Sequence, residues 1–308
     1  MSSERTGDER ATASSAARVV SLTVTVLGTG TMGQGIAQVT AQSGHTTRLY
    51  DASEGRAAAA VQGIASALEK LVAKGKIGAE ARAATLSRLS AAPSAKDACA
   101  GADVIIEAVP EDMALKVEVL KAVLPSAAPG ALVASNTSSL SLTELGARLG
   151  VPERTIGLHF FNPPPVMELV EVVRGLSTSE ETVERALSFV KGLGKTPIVV
   201  RDVPGFATSR LGVILGAEAM RMLETGVASA ADIDRGMELG YRHPMGPLKL
   251  TDLVGLDVRL AILEHLHREI GEQFRPPAIL RTMVRAGKLG KKTGEGFYRW
   301  VDGQPVPK

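Results

Sequence analysis

From Leu22 onward, short β-branched apolar runs alternate with longer alanine- and leucine-rich stretches in which apolar residues recur every three or four positions. Period two marks half-buried strands and period 3.6 amphipathic helices. The pattern predicts strands over residues 22–27, 46–50, 104–109 and 131–134, with helices over 32–43, 55–74 and 113–123 between them. Strand–helix alternation of this kind builds a parallel sheet wrapped by helices on both faces. Two further strands, 155–161 and 167–173, flank Asn162-Pro163-Pro164-Pro165. Its prolines cannot sit in a central ladder and must form the turn. A helix over 180–193 leads to a last strand at 197–200. After Asp202-Val203-Pro204-Gly205 the strand signal stops, and the remainder predicts helices over 207–224, 231–239, 252–270 and 277–286. The expected fold is α/β: a Rossmann-like doubly wound sheet over 21–202, followed by an all-α C-terminal domain over 203–308.

The first strand runs into Gly28-Thr29-Gly30-Thr31-Met32-Gly33, and Asp51 closes the second. A glycine turn between strand and helix, with an acid about twenty residues on, is the fingerprint of a dinucleotide site. Gly28 permits the turn, Gly30 admits a pyrophosphate to the backbone, and Gly33 lets helix and strand close up. The helix start at Thr31 and Met32 offers free amides to phosphate. Asp51 suits two ribose hydroxyls and repels a 2′-phosphate, favouring NAD over NADP, with Arg56 nearby as the opposing influence.

Composition narrows this little further. With 44% hydrophobic and 22% charged residues over 308 positions, the chain is an ordinary globular protein large enough for two domains. A net charge of +2 without a basic cluster gives no reason to expect nucleic acid, and no apolar run is long enough to span a bilayer. The lone Cys99 predicts no disulfide, a buried side chain and a reducing cytoplasm. Residues 1–20 lack large apolar groups and carry Glu4, Asp8 and Glu9, which predicts a disordered tail rather than a targeting segment.

Oxidising an alcohol by hydride transfer also needs a base near neutrality, and histidine suits that best. Of the five histidines, His45 and His243 fall at surface or turn positions, and His265 and His267 are two apart on a helix, a poor metal pair, so no metal is expected. His159 lies in the apolar strand Gly157-Leu158-His159-Phe160-Phe161, and the returning strand carries Glu168 and Glu171 on opposite faces. Glu171 shares its face with Met167, Leu169 and Val173, where a carboxylate needs a partner. Register alone does not choose between the two glutamates.

The segments VLGTGTMGQGIAQ, SNTSSLSLTEL, GLHFFNPPPVMELVEVV, DVPGFATSR, HPMGPLKLTDLVGLD and GKKTGEGFY, in order across about residues 22–300, resemble the L-3-hydroxyacyl-CoA dehydrogenase family, in particular its bacterial 3-hydroxybutyryl-CoA members. The resemblance implies a catalytic His159–Glu171 pair and Ser138 at the substrate oxygen and the cofactor. It implies cofactor contacts at Glu111, Lys116, Asn162 and Lys292, and coenzyme A contacts at Lys74 and Ser138. Taken alone, Ser138 suits a helix cap and Lys292 a solvated face. A serine contact found in relatives is Ala67 here. Where many members have an asparagine in the Pro-Gly-Phe boundary motif, this chain has Ser209, a shorter donor at the substrate carbonyl.

The expected activity is reversible oxidation of an (S)-3-hydroxyacyl-CoA by NAD. A free hydroxy acid or a dicarboxylic acyl-CoA is the second reading, and a noncatalytic NAD-binding protein the third. The apolar stretches at 211–223 and 253–263 exceed what one small bundle can bury, which predicts a homodimer.

Overall fold

The computed structural model describes residues 21–308, so the expected tail at 1–20 lies outside the described residues. The first region runs β1 (Thr23–Leu27), α1 (Thr31–Gln42), β2 (Thr46–Tyr50), α2 (Arg56–Ala73), α3 (Ala79–Leu86), β3 (Leu89–Ala91), α4 (Ala95–Cys99) and β4 (Val104–Glu107). It continues through α5 (Met113–Val123), β5 (Leu132–Ser135), α6 (Leu142–Leu149), β6 (Thr155–Phe160), β7 (Leu169–Arg174), α7 (Glu180–Gly192) and β8 (Thr196–Arg201). One eight-stranded sheet results, in the order β3-β2-β1-β4-β5-β6-β7-β8. β3 through β6 run parallel, β7 pairs antiparallel with β6, and β8 pairs parallel with β7. Parallel strands covered on both faces must be apolar on both. Val104–Glu107 and Leu132–Ser135 are accordingly buried throughout.

This arrangement gathers the carboxyl ends of β1, β2, β4, β5 and β6 along one edge. The strand order reverses between β1 and β4, and ligands of open α/β sheets bind in the crevice at such a point. The glycine turn, Asp51, the segment after Glu107, the SNTSS loop and His159 all lie along that edge.

The C-terminal region comprises α8 (Thr208–Glu224), α9 (Ala230–Arg235), α10 (Pro247–Val254), α11 (Leu256–Glu269) and α12 (Ala278–Arg285), closed by a hairpin of β9 (Arg299–Val301) and β10 (Gln304–Val306). The expected helix over 252–270 is interrupted: Gly255 adopts φ +103°, outside helical space, and divides α10 from α11. The hairpin and the short β3 and α4 escaped the period count because each is five residues or fewer. Much of the apolar supply is buried within the region, by Val213, Met220, Leu256, Leu263 and Leu266, while Leu211, Leu253 and Val254 remain exposed.

His45 departs from expectation. It is buried, its Nδ1 accepts the Leu22 amide at 3.3 Å, and its ring lies 5.5 Å from that of Phe189. The turn after α1 folds under β1, so a residue next to Gly44 is covered rather than exposed. Cys99 is buried, and burial pushes its thiol up to about 12, which leaves it protonated and unreactive.

Candidate active site

The glycine turn fits a dinucleotide. A Cβ on Gly33 would lie 1.9 Å from the Gly28 carbonyl oxygen, and one on Gly28 would lie 2.7 Å from the Ala108 carbonyl, so both positions must be bare. Gly30 has nothing within 4 Å of where its Cβ would stand, and α1 begins there without a side-chain cap. Open space over uncapped helix amides is what a pyrophosphate requires. Asp51 sits at the end of β2, where its Oδ2 accepts the Thr29 amide and hydroxyl, each at 2.9 Å, and its Oδ1 accepts the Ser53 amide at 3.0 Å. Partial burial works to raise its pKa, but these hydrogen bonds and the nearby Arg56 charge outweigh it and hold the carboxyl below the ordinary range. Thr29 lay inside the recognised turn, yet its tie to Asp51 is a tertiary contact that spacing does not disclose.

His159 and Glu171 stand directly opposite in the β6–β7 ladder. His159 Nδ1 is 2.7 Å from Glu171 Oε2, which answers the register question that the sequence left open. Glu168 precedes β7 and is exposed, and its backbone carbonyl accepts the Thr196 amide. Glu171 is fully buried and takes three further hydrogen bonds. Its Oε1 accepts the Ala207 and Thr208 amides at 3.1 and 2.9 Å, and its Oε2 accepts the Thr208 hydroxyl at 3.0 Å. Burial alone would raise its pKa; the His159 and Thr208 contacts overcome that and keep it ionised.

Those amides are presented by a strained turn. Gly205 and the buried Phe206 have φ of +77° and +47°, and a non-glycine residue in that region costs about 1 kcal/mol or more. In that conformation the Phe206 ring lies 5.8 Å from the His159 ring, with Phe161 at 4.7 Å on another side. The carboxylate that holds the histidine is thus also the cap of α8, the first helix beyond the sheet.

His159 lines a cavity of about 450 Å³ together with Met32, Glu111, Lys116, Asn136, Ser138 and Asn162. Lys116 is 1% exposed and bridges Glu107 at 2.8 Å and Glu111 at 3.2 Å. Glu111 in turn accepts the Thr137 hydroxyl at 2.5 Å, the Ser138 amide at 3.0 Å and the Ser139 hydroxyl at 3.1 Å, which pins the SNTSS loop. Burial tends to raise the Glu111 pKa, but Lys116 and those donors bring it below the ordinary value. Glu107, fully buried at the end of β4, is pushed up instead by burial, despite Lys116, Ser135 and the Val109 amide. Asn136 Oδ1 accepts the Phe160 amide at 2.9 Å, tying β5 to the strand of His159.

Glu107 and Asn136 were missed in the sequence. The first hid in an apolar strand, and the second lay in a recognised segment where only Ser138 had been singled out.

The remaining expected site residues are more dispersed. Ser209 lies in the first turn of α8 and is not among the residues lining that cavity. Lys292 Nζ is 2.6 Å from both carboxylate oxygens of Asp257, beside Val258 on the cavity wall. Lys74 is exposed at the end of α2 and stands apart from the cavity.

A doubly wound sheet with an open phosphate turn, an acid on the next strand and a buried histidine–carboxylate pair defines the dehydrogenase class of dinucleotide proteins. Residues 23–203 match the family model described as 3-hydroxyacyl-CoA dehydrogenase, NAD binding domain, and residues 205–300 match that for the C-terminal domain. The chain is 43% identical over 280 residues to a probable 3-hydroxybutyryl-CoA dehydrogenase of Bacillus subtilis, covering 91% of this chain and 97% of that one. It is 42% identical over 295 residues to the mitochondrial hydroxyacyl-coenzyme A dehydrogenase of Sus scrofa, covering 94% of each. Among solved structures, the (S)-3-hydroxybutyryl-CoA dehydrogenase of Ralstonia eutropha superposes with a TM-score of 0.88 at 42% identity, covering 92% of this chain and all of that one. The chain belongs to the 3-hydroxyacyl-CoA dehydrogenase family.

Proposed function

We propose that the protein catalyses reversible oxidation of an (S)-3-hydroxyacyl-CoA of the 3-hydroxybutyryl type, with NAD as the hydride acceptor. The observation that carries this reading is the buried 2.7 Å His159–Glu171 pair at the wall of a cavity beside the dinucleotide edge. Glu171, held ionised, accepts from Nδ1 and so leaves Nε2 of the neutral ring as the base for the substrate hydroxyl proton. In the reverse direction the imidazolium returns that proton to the 3-keto oxygen. Ser138 and Asn162 on the same cavity orient the substrate oxygen and the cofactor, and Glu111 and Lys116 hold the Ser138 loop in place. The ionised Asp51 favours an unphosphorylated ribose, hence NAD. Lys292 and Ser209 complete the site from the helical region, and Lys74 contacts coenzyme A.

In an assay of acetoacetyl-CoA reduction, His159→Ala lowers kcat on the order of 10²–10⁴-fold. The same assay gives a higher kcat/KM with NADH than with NADPH. Near wild-type turnover by His159→Ala overturns the mechanism, and a preference for NADPH overturns the cofactor assignment.

We assign the protein to homodimers in the cytoplasm. Leu211, Leu253 and Val254 form an exposed apolar set on the C-terminal helices that a second copy covers. A single-copy mass by light scattering at micromolar concentration overturns the dimer. A buried unpaired thiol fits a reducing compartment, and among the described residues no helix is long and apolar enough to cross a membrane.

A further inference from the structure

Glu107 ends the apolar strand β4 and is 0% exposed. A charge at such a position is costly unless donors meet it. Both carboxylate oxygens are met. Oε1 accepts the Lys116 ammonium at 2.8 Å and the Val109 amide at 2.6 Å, and Oε2 accepts the Ser135 hydroxyl at 2.6 Å. The ammonium and the amide can only donate, so they hold the ionised form. Burial nevertheless pushes the pKa up from the ordinary value. An apolar residue in β4 would carry no such penalty, and Glu107 is not among the residues lining the His159 cavity, so direct contact with a ligand does not account for it.

Its bonds lead instead to residues that do line the cavity. Lys116 forms one arm: its Nζ also meets Glu111 Oε2 at 3.2 Å and the Val109 carbonyl at 3.3 Å. An ammonium has three donors, and Glu107, Glu111 and Val109 take them all. On Glu111, Oε1 carries the Thr137, Ser138 and Ser139 bonds, whereas Oε2 carries Lys116 alone and keeps a lone pair for a group in the cavity. Ser135 forms the other arm. Its hydroxyl oxygen accepts the Thr137 amide at 3.2 Å, and Thr137 Oγ1 donates to Glu111 while accepting the Ser139 and Leu140 amides. The arms close a ring through Glu107, Lys116, Glu111, Thr137 and Ser135 at the start of the Ser138 loop.

We propose that Glu107 is a positioning residue for the dinucleotide: by drawing Lys116 to itself it keeps Glu111 Oε2 open to the cofactor, and by holding Ser135 it fixes the loop that brings Ser138 to the cavity. This rests on the dinucleotide reading of the site. Without the Glu107 charge, the Lys116 ammonium turns wholly to Glu111, its remaining carboxylate, and occupies the lone pair that the cofactor would use. Loosening of the Ser135 arm adds an ordering cost to binding. His159 and Glu171 share no side-chain bond with the ring among the described residues, so the effect falls on cofactor affinity rather than on proton transfer.

The test titrates NADH, in the absence of acyl-CoA, into wild type, Glu107→Gln, Ser135→Ala, Glu111→Gln and the double variant Glu107→Gln/Glu111→Gln, and reads nicotinamide fluorescence. Glu107→Gln raises the NADH Kd roughly 10-fold, and Ser135→Ala, which cuts only one arm, about 3-fold. In the Glu111→Gln background, Glu107→Gln adds no more than the Ser135→Ala effect, because the Lys116 arm has no carboxylate left to keep open. In acetoacetyl-CoA reduction the KM for NADH rises with the Kd, while the KM for acetoacetyl-CoA stays within about two-fold of wild type. A variant that is only less stable binds NADH with a smaller amplitude at an unchanged Kd. That result for Glu107→Gln overturns the proposal and leaves Glu107 as a support of the fold, and an equal loss of affinity in both Glu111 backgrounds overturns it as well. Where Glu107→Gln does not fold, Ser135→Ala decides: an unchanged Kd overturns the proposal and a raised one upholds it. Absence of NADH binding by wild type overturns the dinucleotide reading together with the proposal.

Discussion

Glu171 in the sheet and Asp252 in the helical region are both buried carboxylates that gather backbone amides from a distant segment. Glu171 accepts the Ala207 and Thr208 amides, and Asp252 the Phe297 and Tyr298 amides at 2.8 and 2.9 Å with the Trp300 indole at 2.9 Å. Their protonation behaviour runs in opposite directions. Glu171 is buried too, but its His159 and Thr208 contacts dominate and keep its pKa low; burial prevails at Asp252 and raises it. The difference lies in the partner. Glu171 faces a titratable ring on a cavity wall, whereas Asp252 is enclosed by the segment it pins, and Cβ atoms on Gly290 and Gly296 would collide with it. A buried carboxylate with several donors is therefore a chemical group only when one donor can exchange a proton with substrate.

Replacing Glu171 is the largest way to test that contrast. Glu171→Gln leaves the His159 ring unoriented and turns an amide NH₂ toward donors, so kcat falls on the order of 10²-fold or more. Its effect on stability through charge is greatest near neutrality and fades in acid. Because the folded state holds this carboxyl below its ordinary 4.5, the native chain binds fewer protons than the unfolded one. The resulting stabilisation is complete above that value and drains away as pH falls through the folded pKa. Tm measured from pH 6 down to pH 3 should drop more steeply for wild type than for the variant. Equal slopes would show that Glu171 contributes nothing through its charge.

Asp252→Asn should produce the reverse. One of three donors meets an amide NH₂ instead of an oxygen, at a cost of roughly 1–3 kcal/mol in unfolding free energy, while kcat changes little. Since burial raises the folded pKa above the ordinary 3.8, the native state holds this proton more tightly than the unfolded chain does. Ionising Asp252 thus weakens the fold as pH rises through the raised value, and the variant lacks that loss. A fall in kcat comparable to that of Glu171→Gln would erase the distinction between the two regions.

The same distinction explains what the sequence disclosed. Strand–helix alternation and the glycine turn were legible because they rest on local period and on the bare positions at Gly28 and Gly33. Glu171 became the partner of His159 only through the β6–β7 register, which the proline turn fixes in three dimensions. Glu107 looked like one more position in an apolar strand, and Lys116 gave no sign that it would be buried between two glutamates. Asp252 falls in HPMGPLKLTDLVGLD, a segment that matched the family as the SNTSS loop did, yet its contacts are architectural. Residue identity along a motif carries no record of which side chains reach the cavity, because that depends on packing between domains.

Ser209 offers the smallest and most specific test. It begins α8 beside the amides that cap Glu171, and the family resemblance places an asparagine there, close to the substrate carbonyl. The first turn of a helix tolerates asparagine, and the position is only half buried, so the longer amide fits without displacing Thr208. Ser209→Asn should leave acetoacetyl-CoA reduction unchanged or raise it a few-fold, by reaching directly an oxygen that serine meets through water. A collapse of activity on acetoacetyl-CoA would mean that the site is shaped around serine, and that α8 contributes to substrate fit as well as to holding Glu171.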